Sequence, residues 1–272
     1  MPWGQVEKSY EQDNVALFVH EFDVTFRLKG KPSISYSFEG VIEHEGVTIE
    51  TRDGKICGKM VISIESGDYN LARERAIKEV EKLTAMLTVI LEGGFTIEDI
   101  RVEHRPIIES EGRVKKITVF DTIVVKEEVH VTKTFSRESL EDVKTRLKEL
   151  TDKIGKLDRS MDYLRAIKWW AKGDLEEDKV DKFLDYFISF EMLASLKGYK
   201  EYGDEWARKF SEDYSITYRL GERKPITDIR NKIMHAPGPE KDEAEELAKQ
   251  YADSFGRELL EAIKKILDEA PS

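Results

Sequence analysis

The chain has 272 residues with a formal net charge of −11 at pH 7, and 36% of its side chains are charged. Neither half is basic, because residues 1–156 carry 24 basic and 29 acidic side chains and residues 157–272 carry 20 and 26. This balance argues against non-specific nucleic-acid binding through bulk charge. Any contact with RNA must come from a local patch, or from a patch that oligomerisation assembles.

Composition also limits the compartment and the kinds of site. Cys57 is the only cysteine, so no intrachain disulfide and no cysteine-metal cage can form. The first 14 residues are polar and lack a hydrophobic signal core, and no apolar run approaches the roughly 18–20 residues that span a bilayer. We therefore expect a soluble cytoplasmic protein with no membrane contact, no cofactor and no metal. The scarcity of Asn and Gln, with heavy use of Lys and Glu, resembles a thermophile protein.

Residues 1–135 are predicted to form a β-rich α+β domain. Strand-like runs rich in Val, Phe, Ile and Thr alternate with turn signals, of which Asp53-Gly54 is the strongest hairpin indicator. A helix at 69–91 has apolar residues at helical spacing and ends at Gly93-Gly94. The order predicts a mostly antiparallel sheet with one covering helix. The predicted strands are residues 15–28, 33–51, 56–65, 96–106, 114–125 and 128–134.

From Ser136 onward the pattern becomes helical. Ser136 is a plausible N-cap for an amphipathic connecting helix at 136–157. Residues 158–272 are then predicted to form an all-α helical bundle, in which Lys172-Gly173-Asp174 ends the first helix and Pro225 occupies the first turn of a later one. The helices of this bundle are predicted at residues 160–171, 178–197, 204–220, 225–235 and 241–267.

The segment Arg230-Asn231-Lys232-Ile233-Met234-His235 is the most informative in the chain. It places a permanent cation, an amide and an imidazole within two helical turns. Such groups suit chemistry on a phosphodiester, where a proton moves and negative charge must be held. Asn231 and His235 share one helix face, whereas Arg230 lies about 140° away from His235. A single helix therefore directs Arg230 and His235 toward different sides, and a two-fold dimer would bring two copies of each residue into one cleft.

Residues 165–173 (RAIKWWAKG) lead into residues 181–193 (DKFLDYFISFEML), and residues 228–236 (DIRNKIMHA) follow further along. Together these segments resemble a HEPN domain (higher eukaryotes and prokaryotes nucleotide-binding) of the ApeA-like branch, over roughly residues 158–270. The resemblance implies a HEPN-like helical bundle and a dimeric cleft. Many members are metal-independent endoribonucleases, often in antiviral defence or toxin-antitoxin systems, and others are inactive structural or RNA-binding modules. Residues 1–135 resemble no family that we recognise.

Metal-free RNA cleavage requires a base for the 2′-hydroxyl proton, an acid for the leaving oxygen and a cation for the phosphorane. His235 suits either proton transfer and Arg230 suits the charge, while Asn231 could orient the imidazole or contact the scissile phosphate. Glu191 interrupts an apolar helix stripe, so a partner is expected for its carboxylate, and Arg230 is the candidate. The predicted catalytic set is therefore Arg230, Asn231, His235 and Glu191.

Other interpretations stay open at this stage. The Arg–His segment could be an ordinary hydrogen-bonded helix end, and Trp169, Trp170 and Tyr186 could be core residues or platforms for stacked bases. The remaining histidines show no metal-ligand spacing such as H-E-x-x-H. Two functions compete. The first is a dimeric endoribonuclease acting on single-stranded RNA. The second is a non-catalytic homodimer that binds RNA or a partner, and whose β-rich domain binds an unknown ligand or protein.

Overall fold

The computed structural model describes residues 20–31, 34–65, 68–105, 131–200, 202–221 and 224–270, with backbone only at 131–134, 137 and 138. The protein is α+β, with an antiparallel sheet in its N-terminal part and a helical C-terminal part. The predicted strand at 114–125 and the first residues of the predicted strand at 15–28 lie outside the described residues.

The secondary structure elements follow in chain order. The strands are β1 (His20–Lys29), β2 (Ile34–Phe38), β3 (Ile42–His44), β4 (Val47–Arg52), β5 (Lys55–Ile64), β6 (Thr96–His104), β7 (Val131–Phe135), β8 (Arg219–Leu220) and β9 (Lys224–Pro225). The helices are α1 (Tyr69–Leu91), α2 (Arg137–Lys156), α3 (Ser160–Leu175), α4 (Lys179–Leu196), α5 (Glu205–Asp213), α6 (Ile226–His235) and α7 (Pro239–Asp268).

The main sheet has five antiparallel strands in the order β3-β4-β5-β1-β6. Along β1, buried and exposed side chains alternate, which is the pattern of a strand with one covered face. The predicted Asp53-Gly54 turn is confirmed: both residues have positive φ angles, of 51° and 75°, and they join β4 to β5. Outside this sheet, β2 pairs with β7 in parallel, and the prediction of a mostly antiparallel arrangement is confirmed.

Three boundary predictions are corrected. The single strand expected at 33–51 is divided into β2, β3 and β4, with a turn at Glu45-Gly46 where both φ angles are positive. Helix α3 continues through Gly173 to Leu175, and the absence of a Cβ at Gly173 allows Tyr186 of α4 to approach closely. Helix α5 ends at Asp213, before residue 220, and the chain turns through Ser215 at φ 58°.

Helix starts agree better with the sequence. Ser136 caps α2 by accepting a hydrogen bond from the Ser139 backbone amide, as predicted. Asp178 caps α4 in the same way, through the amides of Val180 and Asp181. Pro225 is the N-cap of α6 and precedes its first turn. The helix was predicted to begin at Pro225 itself, which is one residue too early.

A buried carboxylate joins the sheet region to the helices. Asp174, near the end of α3, accepts a hydrogen bond of 2.7 Å from the Gly94 amide, and Lys31 Nζ lies 2.6 Å from its other oxygen. Tyr186 Oη lies 3.4 Å from that same oxygen. Gly94 is required here, because a Cβ would lie 2.4 Å from the Ala171 carbonyl oxygen. The carboxylate thus holds the end of β1 and the loop after α1 against two helices of the bundle.

The apolar core is continuous across this junction. Buried side chains of the sheet, of α1 and α2, and of α3, α4 and α7 form one cluster. Ion pairs cross the same boundary, from Lys168 to Glu81 and, at 2.5 Å, from Lys264 to Glu92. The predicted division into residues 1–135, 136–157 and 158–272 stays a prediction about independent folding units.

Replacing Asp174 by Ala should lower the free energy of unfolding by about 2–4 kcal/mol, because the Gly94 amide and Lys31 lose a shared buried acceptor. Urea denaturation followed by circular dichroism measures this loss. Asp268→Ala is the matched control: its side chain is 73% exposed and pairs with Lys153 at the surface, so we expect less than about 1 kcal/mol. Equal losses in the two variants would contradict the junction role of Asp174.

His44 makes the stability depend on pH. It is buried on β3, its Nε2 lies 2.9 Å from Thr151 Oγ1 on α2, and burial lowers its pKa, against an opposing effect of Glu45. The unfolded chain, with a His pKa near about 6.5, then binds the proton more tightly than the folded one. The free energy of unfolding should therefore fall as the pH falls below about 6.5. Denaturation measured at a series of pH values should show a shallower fall in this free energy for His44→Gln. Parallel declines in both proteins would exclude His44 as the cause.

Candidate functional site

The Arg–His segment lies on α6, a short helix that packs mainly against α7. Ile226, Ile229 and Ile233 are buried, so one stripe of the helix faces the core. The opposite side carries Asn231, His235 and Met234, of which Met234 is 52% exposed. The predicted chemistry-bearing residues are therefore at the surface, while the isoleucines hold the helix in place.

Arg230 is half-buried at the edge of this surface. Its Nη1 donates a hydrogen bond of 3.1 Å to Asn231 Oδ1, and its guanidinium carbon lies 5.8 Å from the ring centroid of Phe187 on α4. Phe187 is itself buried, so the guanidinium rests on a fixed ring face. In the described part of the chain Arg230 makes no ion pair, which leaves its charge available to an anionic ligand.

Two described lysines of this region, one on α6 and one just before it, are already paired. Lys232 lies 3.1 Å from Asp228 one turn earlier, and this carboxylate raises the Lys232 pKa. Lys224, just before the helix, pairs with Glu243 of α7. Arg230 therefore provides the positive charge that α6 can offer to a substrate.

Asn231 has one role settled by the geometry. Its side-chain oxygen accepts from Arg230, so the amide orients the guanidinium. Among the described residues no hydrogen bond joins Asn231 to His235. In this single chain Asn231 therefore does not orient the imidazole of His235. The side-chain NH₂ group stays available as a donor, which fits the other predicted role, a contact with phosphate.

Glu191 does not occupy the predicted position. We expected its carboxylate to be buried and paired with Arg230, but Glu191 is exposed and no such ion pair occurs among the described residues. The reason is the phase of α4: the buried stripe passes through Phe187, Phe190 and Ala194, and Glu191 projects beside it toward solvent. The ion-pair prediction is wrong, and the argument for a catalytic Glu191 loses its basis.

The three candidate stacking residues separate into two groups. Trp170 is buried and donates a hydrogen bond of 2.7 Å from Nε1 to the Gly256 carbonyl oxygen. Tyr186 is buried against Gly173 and Gly256, and burial raises the pKa of its hydroxyl well above the usual range. These two are packing residues. Trp169 alone keeps part of its ring accessible, with Lys172 Nζ 4.9 Å from the ring centroid.

Sequence reasoning missed two buried charges on α4. Asp185 is 5% exposed and pairs with Lys172 at 2.9 Å, and burial raises the pKa of its carboxyl group. Lys182 is 7% exposed, and burial lowers its pKa. A signal for these buried charges was present in the sequence, because Lys182 and Asp185 lie on either side of Phe183 within an apolar stripe. Both groups face α3 and serve the contact between the two helices.

Comparisons with protein-family models, with curated proteins and with solved structures found no match to this chain. The resemblance to a HEPN domain therefore rests on the residues quoted above. Within the described ranges, no helix combines the length and apolarity needed to cross a membrane. Nor do three or more His, Cys, Asp or Glu side chains of those ranges gather closely enough to hold a metal ion.

Glu191→Gln should change the free energy of unfolding by less than about 0.5 kcal/mol, because an exposed carboxylate without a partner contributes little to stability. Thermal and urea denaturation of the two proteins in parallel measure the difference. A loss of more than about 2 kcal/mol would mean that Glu191 is paired after all, as the sequence first suggested.

Proposed function

We propose that this chain is a metal-independent endoribonuclease of the HEPN type, which cleaves single-stranded RNA in a cleft formed by two copies of the protein. The observation that carries the proposal is the surface of α6. There Arg230 has no carboxylate partner among the described residues, is oriented by Asn231, and shares its short helix with an exposed His235.

The reaction uses the substrate's own 2′-hydroxyl as the nucleophile. An imidazole of His235 accepts the hydroxyl proton while the oxygen attacks the adjacent phosphorus. Arg230 stabilises the negative charge that develops on the phosphorane oxygens, and the Asn231 NH₂ group can donate to one of them. A protonated imidazole returns a proton to the departing 5′-oxygen. The products are a 2′,3′-cyclic phosphate and a 5′-hydroxyl, and DNA is resistant because it lacks the 2′-hydroxyl.

A second copy supplies what one helix lacks. Acid and base must act on opposite sides of the phosphorus, and one chain provides one His235 on α6. Since Arg230 and His235 diverge by about 140° around their helix, two facing α6 helices would bring an arginine and a histidine from different protomers to the same phosphate. The exposed Met234 between them gives that face an apolar contact residue.

The alternative function is a non-catalytic homodimer that binds RNA or a protein partner through the same face. The observation that favours it is that Asn231 and His235 are exposed to solvent in the described part of the single chain. In that case Arg230 contacts phosphate and His235 transfers no proton.

The purified protein should cleave single-stranded RNA in excess chelator, and mass spectrometry of the fragments should show cyclic phosphate ends. His235→Ala and Arg230→Ala should each reduce the rate about 100-fold or more while the circular dichroism spectrum is unchanged. Asn231→Asp should also reduce the rate, because it places a carboxylate next to Arg230. Arg257→Ala, an exposed arginine of α7, is the matched control and should cleave at the wild-type rate.

Cleavage that appears only with added metal, or His235→Ala cleaving as fast as wild type, would refute the ribonuclease proposal. RNA binding without cleavage, weakened by Arg230→Ala and unaffected by His235→Ala, would establish the alternative function.

A further inference from the structure

A groove lies on another part of the molecule, between α3 and the segment that leads from α1 into β6. Its volume is about 540 Å³, which is within the range typical of small-molecule sites. Phe95, Trp169 and Leu175 provide apolar walls, and Arg165, Lys168 and Lys172 lie along its side on one face of α3. The spacing of these α3 residues, at 165, 168, 169 and 172, keeps them within one helical face.

The groove adjoins a smaller pocket of about 80 Å³, with which it shares Phe95, Thr96 and Lys168. Thr84 and Thr88 of α1 line this inner pocket. Thr84 donates a hydrogen bond of 2.6 Å to the Val80 carbonyl, as threonines inside helices often do. Thr88 is fully buried, and its Oγ1 has no hydrogen-bond partner among the described residues. A buried hydroxyl without a partner is costly, and this one lies behind the wall of the inner pocket.

The charges of the groove select the kind of ligand. Lys168 is paired with Glu81, and Lys172 with Asp185. Glu176, at the end of the groove, accepts hydrogen bonds from the amides of Glu177 and Asp178. Arg165 is exposed and makes no ion pair in the part of the chain that the structure describes. Because the charges of these lysines and carboxylates cancel in pairs, Arg165 is the group of the groove that can hold a single anionic group of a ligand.

We propose that this groove binds a small planar aromatic molecule that carries a single carboxylate or phosphate group. Arg165 holds the anionic group through its guanidinium fork, and the aromatic ring lies against Trp169 and Phe95. Because the walls belong to α3 and to the α1–β6 segment, the bound ligand stabilises the contact between the helical bundle and the sheet region.

The test uses anilinonaphthalene sulfonate, a fluorescent aromatic anion, titrated into the full-length protein. Saturable binding is expected, and Arg165→Gln should weaken it about tenfold, as the loss of a charged hydrogen bond predicts. Trp169→Ala should weaken it as well. Trp169→Phe retains an aromatic ring and should bind, which separates loss of the site from loss of the fold. Arg73→Gln, an exposed arginine of α1 outside the groove, should bind as wild type does.

Competition then identifies the anionic group. Adenosine monophosphate should displace the probe if the group is a phosphate, and indole acetate if it is a carboxylate, whereas inorganic phosphate alone should not. Equal binding by wild type, Arg165→Gln and Trp169→Ala, or displacement by neither aromatic competitor, would overturn the proposal. His235→Ala should bind the probe normally, so this result is independent of the proposed ribonuclease activity.

Discussion

The Asp174 carboxylate is the interaction on which the arrangement of this protein depends. It receives the Gly94 amide from the loop after α1 and the Lys31 ammonium from the end of β1, while its own helix, α3, belongs to the bundle. A buried carboxylate is stable only when such donors surround it. The same contact brings Phe95 and Thr96 next to Trp169, so the groove between sheet and bundle exists because Asp174 draws these segments together.

Within the bundle, one tyrosine determines how closely the helices approach. A Cβ at Gly256 would lie 2.3 Å from the ring of Tyr186, and a Cβ at Gly173 would lie 2.8 Å from it, so α3, α4 and α7 can pack together around this side chain only with glycine at both positions. That packing fixes the orientation of α4, and with it the ring of Phe187 on which Arg230 rests. The surface of α6 thus depends on how α3, α4 and α7 pack together inside the bundle.

The two proposed sites differ in what they require. The α6 surface presents an amide, a histidine and an arginine that has no ion pair among the described residues, and in our proposal a second chain encloses its substrate. The groove beside α3 has both its walls in one chain, and its lysines are neutralised by carboxylates. We propose a phosphodiester backbone as the ligand of the first surface and a small aromatic anion as the ligand of the second.

The sequence by itself determined the class of fold, most helix starts and the Arg230–His235 segment, because capping, turn chemistry and apolar spacing act over a few residues. Ser136, Asp178 and Asp53-Gly54 show this local control. Only the tertiary structure decided that β2 pairs with β7, that α3 passes through Gly173, and that Glu191 faces solvent while Asp185 and Lys182 are buried. Those outcomes depend on which segments, distant in sequence, come into contact. Helical spacing alone does not show whether a carboxylate at the border of an apolar stripe faces the core or the solvent.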